Sequence, residues 1–346
     1  MADGVITVLI VDDSALVRKL LSAVLARDPQ LRVVGTAADP YEAREKIKAL
    51  SPNVITLDVE MPRMDGLTFL RNLMRLRPIP VVMVSSLTEK NADITIAALE
   101  AGAVDYVEKP KVGVAEGLTA MADELCAKVK IAARARVRPR AEPMKEVVAK
   151  RPVPLQTTDR VITIGASTGG TEAIAEILAE LAPTSPGVLI TQHIPMHFST
   201  RFAQRLDRLS ALAVTEATDG AAVLLGHAYV APGDHHLRLE RSGAKYYCRV
   251  TQDPPINLHR PAVDALFNTA ADEAGVNALG VILTGMGADG AEGLLKMKRA
   301  GARTIAQDRE TSVVWGMPGE AVKRGAAQET LPLSAIAARI KEWSAR

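Results

Sequence analysis

Three short motifs in the second half of the chain contain the residue types of a hydrolytic site. Ser167 lies in VITIGASTGG, His193 follows GVLITQ, and Asp289 lies in GMGADG. A serine hydroxyl becomes a nucleophile when a histidine takes its proton and a carboxylate orients that histidine. Each residue also has an ordinary alternative: a helix cap for the serine, a structural role for the histidine and a turn for the aspartate. The trio is a candidate triad if the fold brings it together.

A second group of polar residues, in the first half of the chain, consists of acids, a hydroxyl and a lysine. Asp12 and Asp13 follow VITVLIV, Asp58 ends a third β-branched run, Ser85 ends a fourth, and Lys109 follows a fifth. Carboxylates brought close together raise one another's pKa values unless a cation such as Mg²⁺ neutralises them. A carboxylate beside Mg²⁺ can accept a phosphoryl group, which the lysine and the hydroxyl would hold. The alternative for Asp12 and Asp13 alone is capping of the next helix.

Alternation of β-branched runs with helical patterns must position both groups. This pattern predicts two doubly wound, parallel-sheet α/β domains, at residues 5–125 and 160–346, in which polar groups gather at the carboxyl ends of the strands. Residues 132–159, rich in Arg, Lys and Pro, are expected to be a basic linker. Because neighbouring strands lie about 4.8 Å apart, Ser167, His193 and Asp289 can meet if their strands are adjacent.

Composition limits the classes of partner and compartment. The chain has 346 residues, 48% of them apolar, and a formal net charge of +2, which gives no electrostatic reason to expect nucleic acid or a membrane surface as a partner. Cys126 and Cys248 are far apart in sequence, which is no disulfide framework and fits a reducing compartment. We find no signal-peptide pattern and no apolar run of about 20 residues, so we expect a cytoplasmic protein without membrane insertion.

Two familiar nucleotide and hydrolase motifs do not fit. A dinucleotide-binding fold would have G-x-G-x-x-G and an acid after the second strand, where this chain has GASTGG and Gln192-His193. GASTG does match the G-x-S-x-G nucleophile elbow, but that fold has the order Ser, acid, His, and no histidine follows His259. His259, in HRPAVD, is the main rival to His193 as the base and could line the cleft instead.

The first half of the chain resembles a response-regulator receiver domain, with VDDS at 11–14, LDVEMPRMDG at 57–66, MVSS at 83–86 and YVEKP at 106–110. The resemblance implies a flavodoxin-like fold with Asp58 as the phosphoacceptor. It also implies that Ser85 is the switch hydroxyl, that Tyr106 is the aromatic residue coupled to it, and that Lys109 is part of the switch. A cis bond between Lys109 and Pro110 belongs to the same family pattern. The Mg²⁺ ligands implied are Asp12, Asp13, Asp58 and the backbone carbonyl of Glu60.

The motifs GASTGG, QHIP, HRPAVD and GMGADG, behind a receiver, resemble the chemotaxis protein-glutamate methylesterases. That resemblance implies a Rossmann-like esterase domain with the triad Ser167, His193 and Asp289, the Met286 backbone N–H as an oxyanion donor, and Thr168 as a lesser candidate for the same role. Ala262 departs from the serine expected in HRPAVD, which puts a local contact near the cleft in doubt.

The resemblance implies a phosphorylation-activated serine hydrolase that needs no cofactor for the ester chemistry. Its substrates would be glutamate methyl esters on methyl-accepting chemotaxis receptors, with receptor glutamines as substrates for deamidation, and a histidine kinase would supply the phosphoryl group. One competing class is a receiver-gated DNA-binding regulator, for which a compact helix-turn-helix would be the sign. The other is a catalytically inactive signalling scaffold that keeps the fold, which trapping of Ser167 by an active-site phosphonate would argue against.

Overall fold

Buried strands rich in valine and isoleucine form the centre of each of two units. The computed structural model describes residues 4–85, 89–109, 115–135, 137, 147 and 156–345. The chain divides into units of residues 1–143 and 144–346. No helix among the described residues is both long enough and apolar enough to cross a bilayer.

In the first unit, five parallel strands form one sheet among the described residues, in the order β2-β1-β3-β4-β5. This is the flavodoxin-like order, which confirms the expected fold class of the unit. Side chains of Ser14, Asp39 and Asp65 cap the helices that follow β1, β2 and β3. The elements are β1 Ile6–Val11, α1 Ala15–Leu25, β2 Leu31–Ala37, α2 Pro40–Leu50, β3 Val54–Asp58, α3 Gly66–Leu76, β4 Val81–Ser85, α4 Glu89–Glu100, β5 Asp105–Glu108 and α5 Ala115–Arg134.

In the second unit, seven parallel strands within residues 156–345 form a sheet in the order β14-β13-β12-β6-β7-β9-β8, and β10 pairs with β11 as an antiparallel hairpin. The doubly wound parallel sheet expected for this half is confirmed. A short 3₁₀ helix, Gly275–Asn277, precedes β12. The elements are β6 Val161–Ala166, α6 Gly170–Glu180, β7 Gly187–Gln192, α7 Met196–Leu209, β8 Ala213–Glu216, β9 His227–Val230, β10 His236–Ser242, β11 Lys245–Thr251, α8 Val263–Glu273, β12 Ala278–Ile282, α9 Ala291–Arg299, β13 Arg303–Gln307, α10 Met317–Lys323, β14 Glu329–Leu331 and α11 Leu333–Ser344.

The end of α5 differs from the expected domain and linker boundaries. Leu125, Val129 and Ala132 are fully buried at helical spacing, so the buried face of α5 continues past residue 125. Residues 132–134 are therefore the last turn of a helix and do not belong to the linker expected at 132–159. Apart from residues 132–135, 137, 147 and 156–159, that linker lies outside the described residues, as do Ser86 and Pro110, so the predicted Lys109–Pro110 isomer is untested.

Candidate functional site

Strand pairing brings the three candidate residues of the second unit to one edge of the sheet. Strand β6 pairs with β7 on one side and with β12 on the other, and all three strands are parallel. Ser167 follows the last residue of β6, and His193 follows the last residue of β7. Asp289 lies in the turn between β12 and α9. All three therefore lie beyond the carboxyl ends of adjacent strands, as the sequence predicts.

The backbone around Ser167 is held firmly, while its hydroxyl is left open. The Ser167 N–H donates to the Thr284 carbonyl at 3.0 Å, and its carbonyl accepts from Gly170 N at 2.7 Å and from Gln192 Nε2 at 2.9 Å. Gly170 is required here, because a Cβ would lie 2.5 Å from the Ala166 Cβ, which cannot move away. Among described residues, no group hydrogen-bonds to Ser167 Oγ. The hydroxyl is thus positioned without being engaged, a common state of a nucleophile without substrate.

The His193 ring uses one nitrogen for Asp289 and leaves the other available. His193 Nε2 lies 2.8 Å from Asp289 Oδ2. The His193 backbone N–H donates to the Ala166 carbonyl at 3.1 Å, which sets this histidine beside the residue that precedes Ser167. His193 Nδ1 is buried and has no hydrogen-bond partner within the described chain. Because a carboxylate only accepts, Nε2 carries the proton and Nδ1 is the basic nitrogen.

Asp289 is fixed by donors from three directions. Besides His193, its carboxylate accepts from Val263 N at 2.6 Å, from Asp264 N at 3.2 Å and from Asn257 Nδ2 at 2.8 Å. Burial alone would raise the pKa of this carboxyl group, but the hydrogen bonds and the charge of His193, with Asn257 and the Val263 N–H, lower the pKa to about 2. Asp289 is therefore an ionised, immobile partner for the histidine.

Helix α8 contributes to this arrangement through its N-terminus. Its N-cap residue is Ala262, whose side chain cannot accept a hydrogen bond. Asp289 accepts from the first two N–H groups of the helix instead, and so a residue from another segment caps it. The negative charge also lies at the positive end of the helix dipole. The departure at Ala262 thus leaves the carboxylate contact of the helix intact.

Asn257 and His259, in the turn before α8, extend the site, and sequence analysis missed Asn257. The Asn257 amide donates to Asp289 and, at 2.7 Å, to Asp264, so it bridges two buried carboxylates. His259 stacks on the His193 ring with centroids 3.7 Å apart and an angle of 15° between the planes. The rival base therefore covers one face of the ring that contacts Asp289. No local pattern identifies Asn257, because its partners lie in other segments.

The turn after β12 brings Gly285, the residue before the predicted oxyanion donor Met286, against Ser167. Gly285 contacts Ser167 so closely that a Cβ at this position would overlap the serine Cβ. The N–H of the next residue, Met286, donates to no group in the described part of the chain. Thr168 is buried, and its carbonyl accepts from Thr284 Oγ1 at 3.0 Å. A cavity of about 640 Å³ adjoins this turn and is lined by Gly287, Ala288, Trp315, Gly316, Gly319, Glu320, Val322 and Lys323.

The first unit brings its acids and its lysine together at the carboxyl edge of its sheet. Lys109 Nζ lies 2.6 Å from Asp58 Oδ2 and 3.1 Å from Asp12 Oδ2. Burial raises the pKa of Asp58 to about 6, and nearby Asp12 adds to the rise, although the Lys109 ammonium opposes it. Asp13 completes the cluster, with ligand oxygens of the three acids within 4.8 Å of one another.

These acids fit a magnesium ion by the chemistry of their oxygens. Asp12 Oδ2 and Asp58 Oδ2 are buried, and both face the single ammonium group of Lys109. Three carboxylates around one ammonium group leave negative charge that a divalent cation with a preference for carboxylate oxygen would neutralise. Glu60, whose carbonyl was expected as a further ligand, lies just after β3, and its N–H donates to Asp58 Oδ1 at 3.3 Å.

The expected switch residues lie on β4, which pairs with the strand of Asp58, and on β5, which pairs with β4. Ser85 ends β4, is buried, and its carbonyl accepts from Lys109 N at 2.8 Å. Tyr106 is buried in β5, where Lys128 Nζ lies 4.9 Å from the centre of its ring and donates to its carbonyl at 2.8 Å. Burial raises the pKa of the Tyr106 hydroxyl, so the side chain is neutral. The structure holds Tyr106 in an inward position.

Comparison with known proteins matches the two halves of the chain to two different families. Residues 8–121 match the response regulator receiver domain, and residues 162–340 match the CheB methylesterase family. A protein-glutamate methylesterase/protein-glutamine glutaminase 1 of Xanthomonas campestris pv. campestris is 57% identical over 350 residues, which cover 99% of this chain and 98% of the relative. Its namesake in Hahella chejuensis is 56% identical over 353 residues, with the same shares covered. The CheB methylesterase catalytic domain of Thermotoga maritima aligns with a TM-score of 0.52 and 39% identity, over 53% of this chain and 98% of that structure.

Proposed function

This chain belongs to the CheB methylesterase family and carries a receiver domain before the esterase unit, and from this premise we propose how its residues act. Its substrates are glutamate methyl esters on the cytoplasmic helices of methyl-accepting chemotaxis receptors, from which it releases methanol. Receptor glutamines are substrates for deamidation by the same route. The enzyme acts in the cytoplasm, with residues 5–125 as the regulatory domain and 160–346 as the catalytic domain.

Hydrolysis follows the acyl-enzyme route. Ser167 Oγ attacks the ester carbonyl while its proton passes to His193 Nδ1, and Asp289 stabilises the resulting imidazolium through Nε2. The Met286 N–H, assisted by Thr168, holds the oxyanion. The histidine then gives the proton to the leaving methoxide, which departs as methanol, and water repeats the sequence to regenerate the serine. An amide substrate loses ammonia instead.

One observation carries this proposal above the others. His193 Nε2 is bonded to a buried, ionised Asp289, whereas Nδ1 is buried without a partner in the described chain, next to the strand end that carries Ser167. A purely structural histidine would be expected to satisfy both nitrogens. A basic nitrogen left open at the same sheet edge as an unengaged serine hydroxyl supports a catalytic role.

We propose that phosphorylation of Asp58 controls the esterase. Asp12, Asp13, Asp58 and the Glu60 carbonyl would hold Mg²⁺, which would neutralise charge during transfer of a phosphoryl group from a histidine kinase. Lys109 then pairs with the phosphoryl oxygens and Ser85 moves to hydrogen-bond one of them. The inward reorientation expected of Tyr106 is not needed, because its side chain is already buried. The cluster of carboxylates around Lys109 supports this assignment.

The triad is tested by methanol release from a methylated receptor fragment. Ser167→Ala should reduce the rate by about 10⁴-fold or more, because the acyl-enzyme route needs that oxygen. His193→Ala and His259→Ala serve as a matched pair for the base. A fall in rate with His259→Ala but not with His193→Ala would move the base to His259, and wild-type turnover by Ser167→Ala would rule out the triad.

The switch is tested with the same assay and acetyl phosphate with Mg²⁺ as phosphodonor. Asp58→Ala should keep the full chain at its basal rate both with and without the phosphodonor. We expect the fragment from Thr158 onward to be more active than the unphosphorylated full chain, because the fragment lacks the receiver domain that we propose restrains the esterase. Phosphorylation shifts the equilibrium of the full chain from this restrained form to the active form. A fragment no faster than the resting full chain would show that activation needs positive contacts from the phosphorylated receiver domain.

A further inference from the structure

The turn that carries Asn257 and His259 has an unusual residue at its tip. Ile256 and His259 exchange two backbone hydrogen bonds of 3.1 and 2.9 Å, and the two residues between them are left-handed, with φ of 52° at Asn257 and 67° at Leu258. A two-residue turn of this kind favours Asn followed by Gly. Leucine is strained there, because its Cβ crowds the backbone and its side chain offers no compensating hydrogen bond. The turn therefore keeps Leu258 at an energetic cost.

Packing among the described residues of the second unit does not explain this leucine. Leu258 is 95% exposed, so the fold gains almost no burial from its side chain. Its two neighbours, by contrast, are built into the catalytic edge: Asn257 bonds to Asp289, and His259 stacks on His193. These contacts fix the leucine at a constant position relative to the triad.

Other exposed apolar side chains border the same site. Within residues 156–345, the large apolar side chains that are exposed are Met196, Leu258, Val276 and Met286. Met196 begins α7 just after His193, and Met286 lies in the turn that carries Asp289. Only Val276 lies elsewhere, immediately before β12 begins and hence at the opposite edge of the parallel sheet. We call Met196, Leu258 and Met286 the apolar rim.

We propose that the apolar rim, with Leu258 as its most prominent member, binds apolar side chains of the substrate protein next to the methyl-esterified glutamate. The inference rests on the proposed function, since an ester carbonyl can reach Ser167 only if the segment that carries it covers this edge of the sheet. Apolar surface left open on a monomer commonly marks a site for a protein partner. The rim thus binds the segment that flanks the ester, while the triad acts on the ester itself.

Substitutions at position 258 separate substrate binding from catalysis. Leu258→Asn and Leu258→Gly remove the apolar side chain and suit the left-handed backbone better than leucine does. Leu258→Met keeps an apolar side chain of similar volume, and Val276→Asn removes an exposed apolar side chain at the opposite edge. All four are made in the full chain, and their unfolding midpoints are compared with that of the wild-type protein.

Two substrates are then compared for each variant. With a methylated receptor fragment, kcat/KM of Leu258→Asn and Leu258→Gly should fall about tenfold, equivalent to ~1.4 kcal/mol, mainly through a higher KM. Leu258→Met should stay within about twofold of wild type, as volume-conserving exchanges usually do, and Val276→Asn should not differ. The rate at which a small phosphonate ester labels Ser167 should be equal in all of them, because that probe carries no flanking segment that could contact the side chain at position 258.

The results distinguish a failure of this inference from a failure of the proposed function on which it rests. If the wild-type protein releases methanol from the receptor fragment and Leu258→Asn has the same kcat/KM, the apolar rim does not bind the substrate. The proposed esterase function would then still stand. Equal losses with the fragment and the small phosphonate would overturn it as well, since the turn would then act on the triad. No methanol from the wild-type protein would overturn the proposed function and the inference together.

Discussion

Each of the two units buries one carboxylate of its candidate site at the carboxyl end of a strand or just beyond it, and the two carboxylates differ in pKa. Asp58 and Asp289 are both 2% exposed. Burial raises the pKa of Asp58 to about 6. Although burial also acts on Asp289, its hydrogen bonds lower the pKa to about 2. Two carboxyl groups that are equally buried can therefore differ in pKa, so burial alone does not determine their charge state.

The neighbours of each carboxylate explain the difference. Asp289 receives hydrogen bonds from His193, Asn257 and two helix N–H groups. Asp58 faces another acid, Asp12, and its compensation comes mainly from Lys109. A carboxylate with many fixed donors is suited to orient a base, whereas one with too few is suited to bind a cation and accept a phosphoryl group.

The largest effect is expected from removing the charge of Asp289. Asp289→Asn should lower kcat for methanol release by about 10⁴-fold, because an amide can no longer fix the proton of His193 on Nε2. The matched variant is Asp58→Asn, which should keep the basal rate of the unphosphorylated chain. Comparable basal losses in the two variants would contradict the separate roles that the comparison assigns to the two carboxylates.

A smaller effect is expected from removing a single donor. Asn257→Ala leaves Asp264 and Asp289 facing each other without the bridging amide, and an unmet hydrogen bond to a buried charge costs about 1.5–3 kcal/mol. We expect kcat to fall by roughly 10- to 100-fold with little change in KM. Asn277→Ala, at the opposite sheet edge, is the control. A change in KM alone would assign Asn257 to substrate binding instead.

The raised pKa of Asp58 predicts how magnesium binding depends on pH. Because a ligand carboxylate must be ionised, the Mg²⁺ affinity of the full chain should be nearly constant above pH 6 and fall about tenfold per unit below it. Calorimetric titration between about pH 5 and 7.5 measures this directly, with Asp58→Asn as the control. An affinity that stays level down to pH 5 would show that Asp58 is ionised as an ordinary aspartate.

The smallest effect is on stability and has a defined sign. The pKa of Asp289 falls from 3.8 to about 2 on folding, so its contribution is present above about pH 4 and is lost as the pH falls towards 2. The shift corresponds to ~2 kcal/mol of unfolding free energy. Denaturant unfolding of residues 156–346 should show this loss between pH 4 and 2, and Asp289→Asn should remove it. An identical pH dependence in the variant would place the titration elsewhere.

The sequence by itself determined the local elements and most of the polar groups that they carry. Runs such as VITIGA and GVLITQ identify buried strands, because β-branched residues favour strands. Since parallel strands end at one edge, the positions of Ser167, His193 and Asp289 followed from these runs. The acids of the first unit followed in the same way.

Only the tertiary structure decided which atoms meet. His193 and Asp289 are separated by 96 positions, and nothing near either residue shows that Nε2 is the nitrogen that contacts the carboxylate. The capping of α8 by Asp289, the bridge made by Asn257 and the exposed position of Leu258 depend equally on packing between distant segments. Local sequence sets backbone preferences, whereas hydrogen bonds and burial across the chain exist only once the segments are packed.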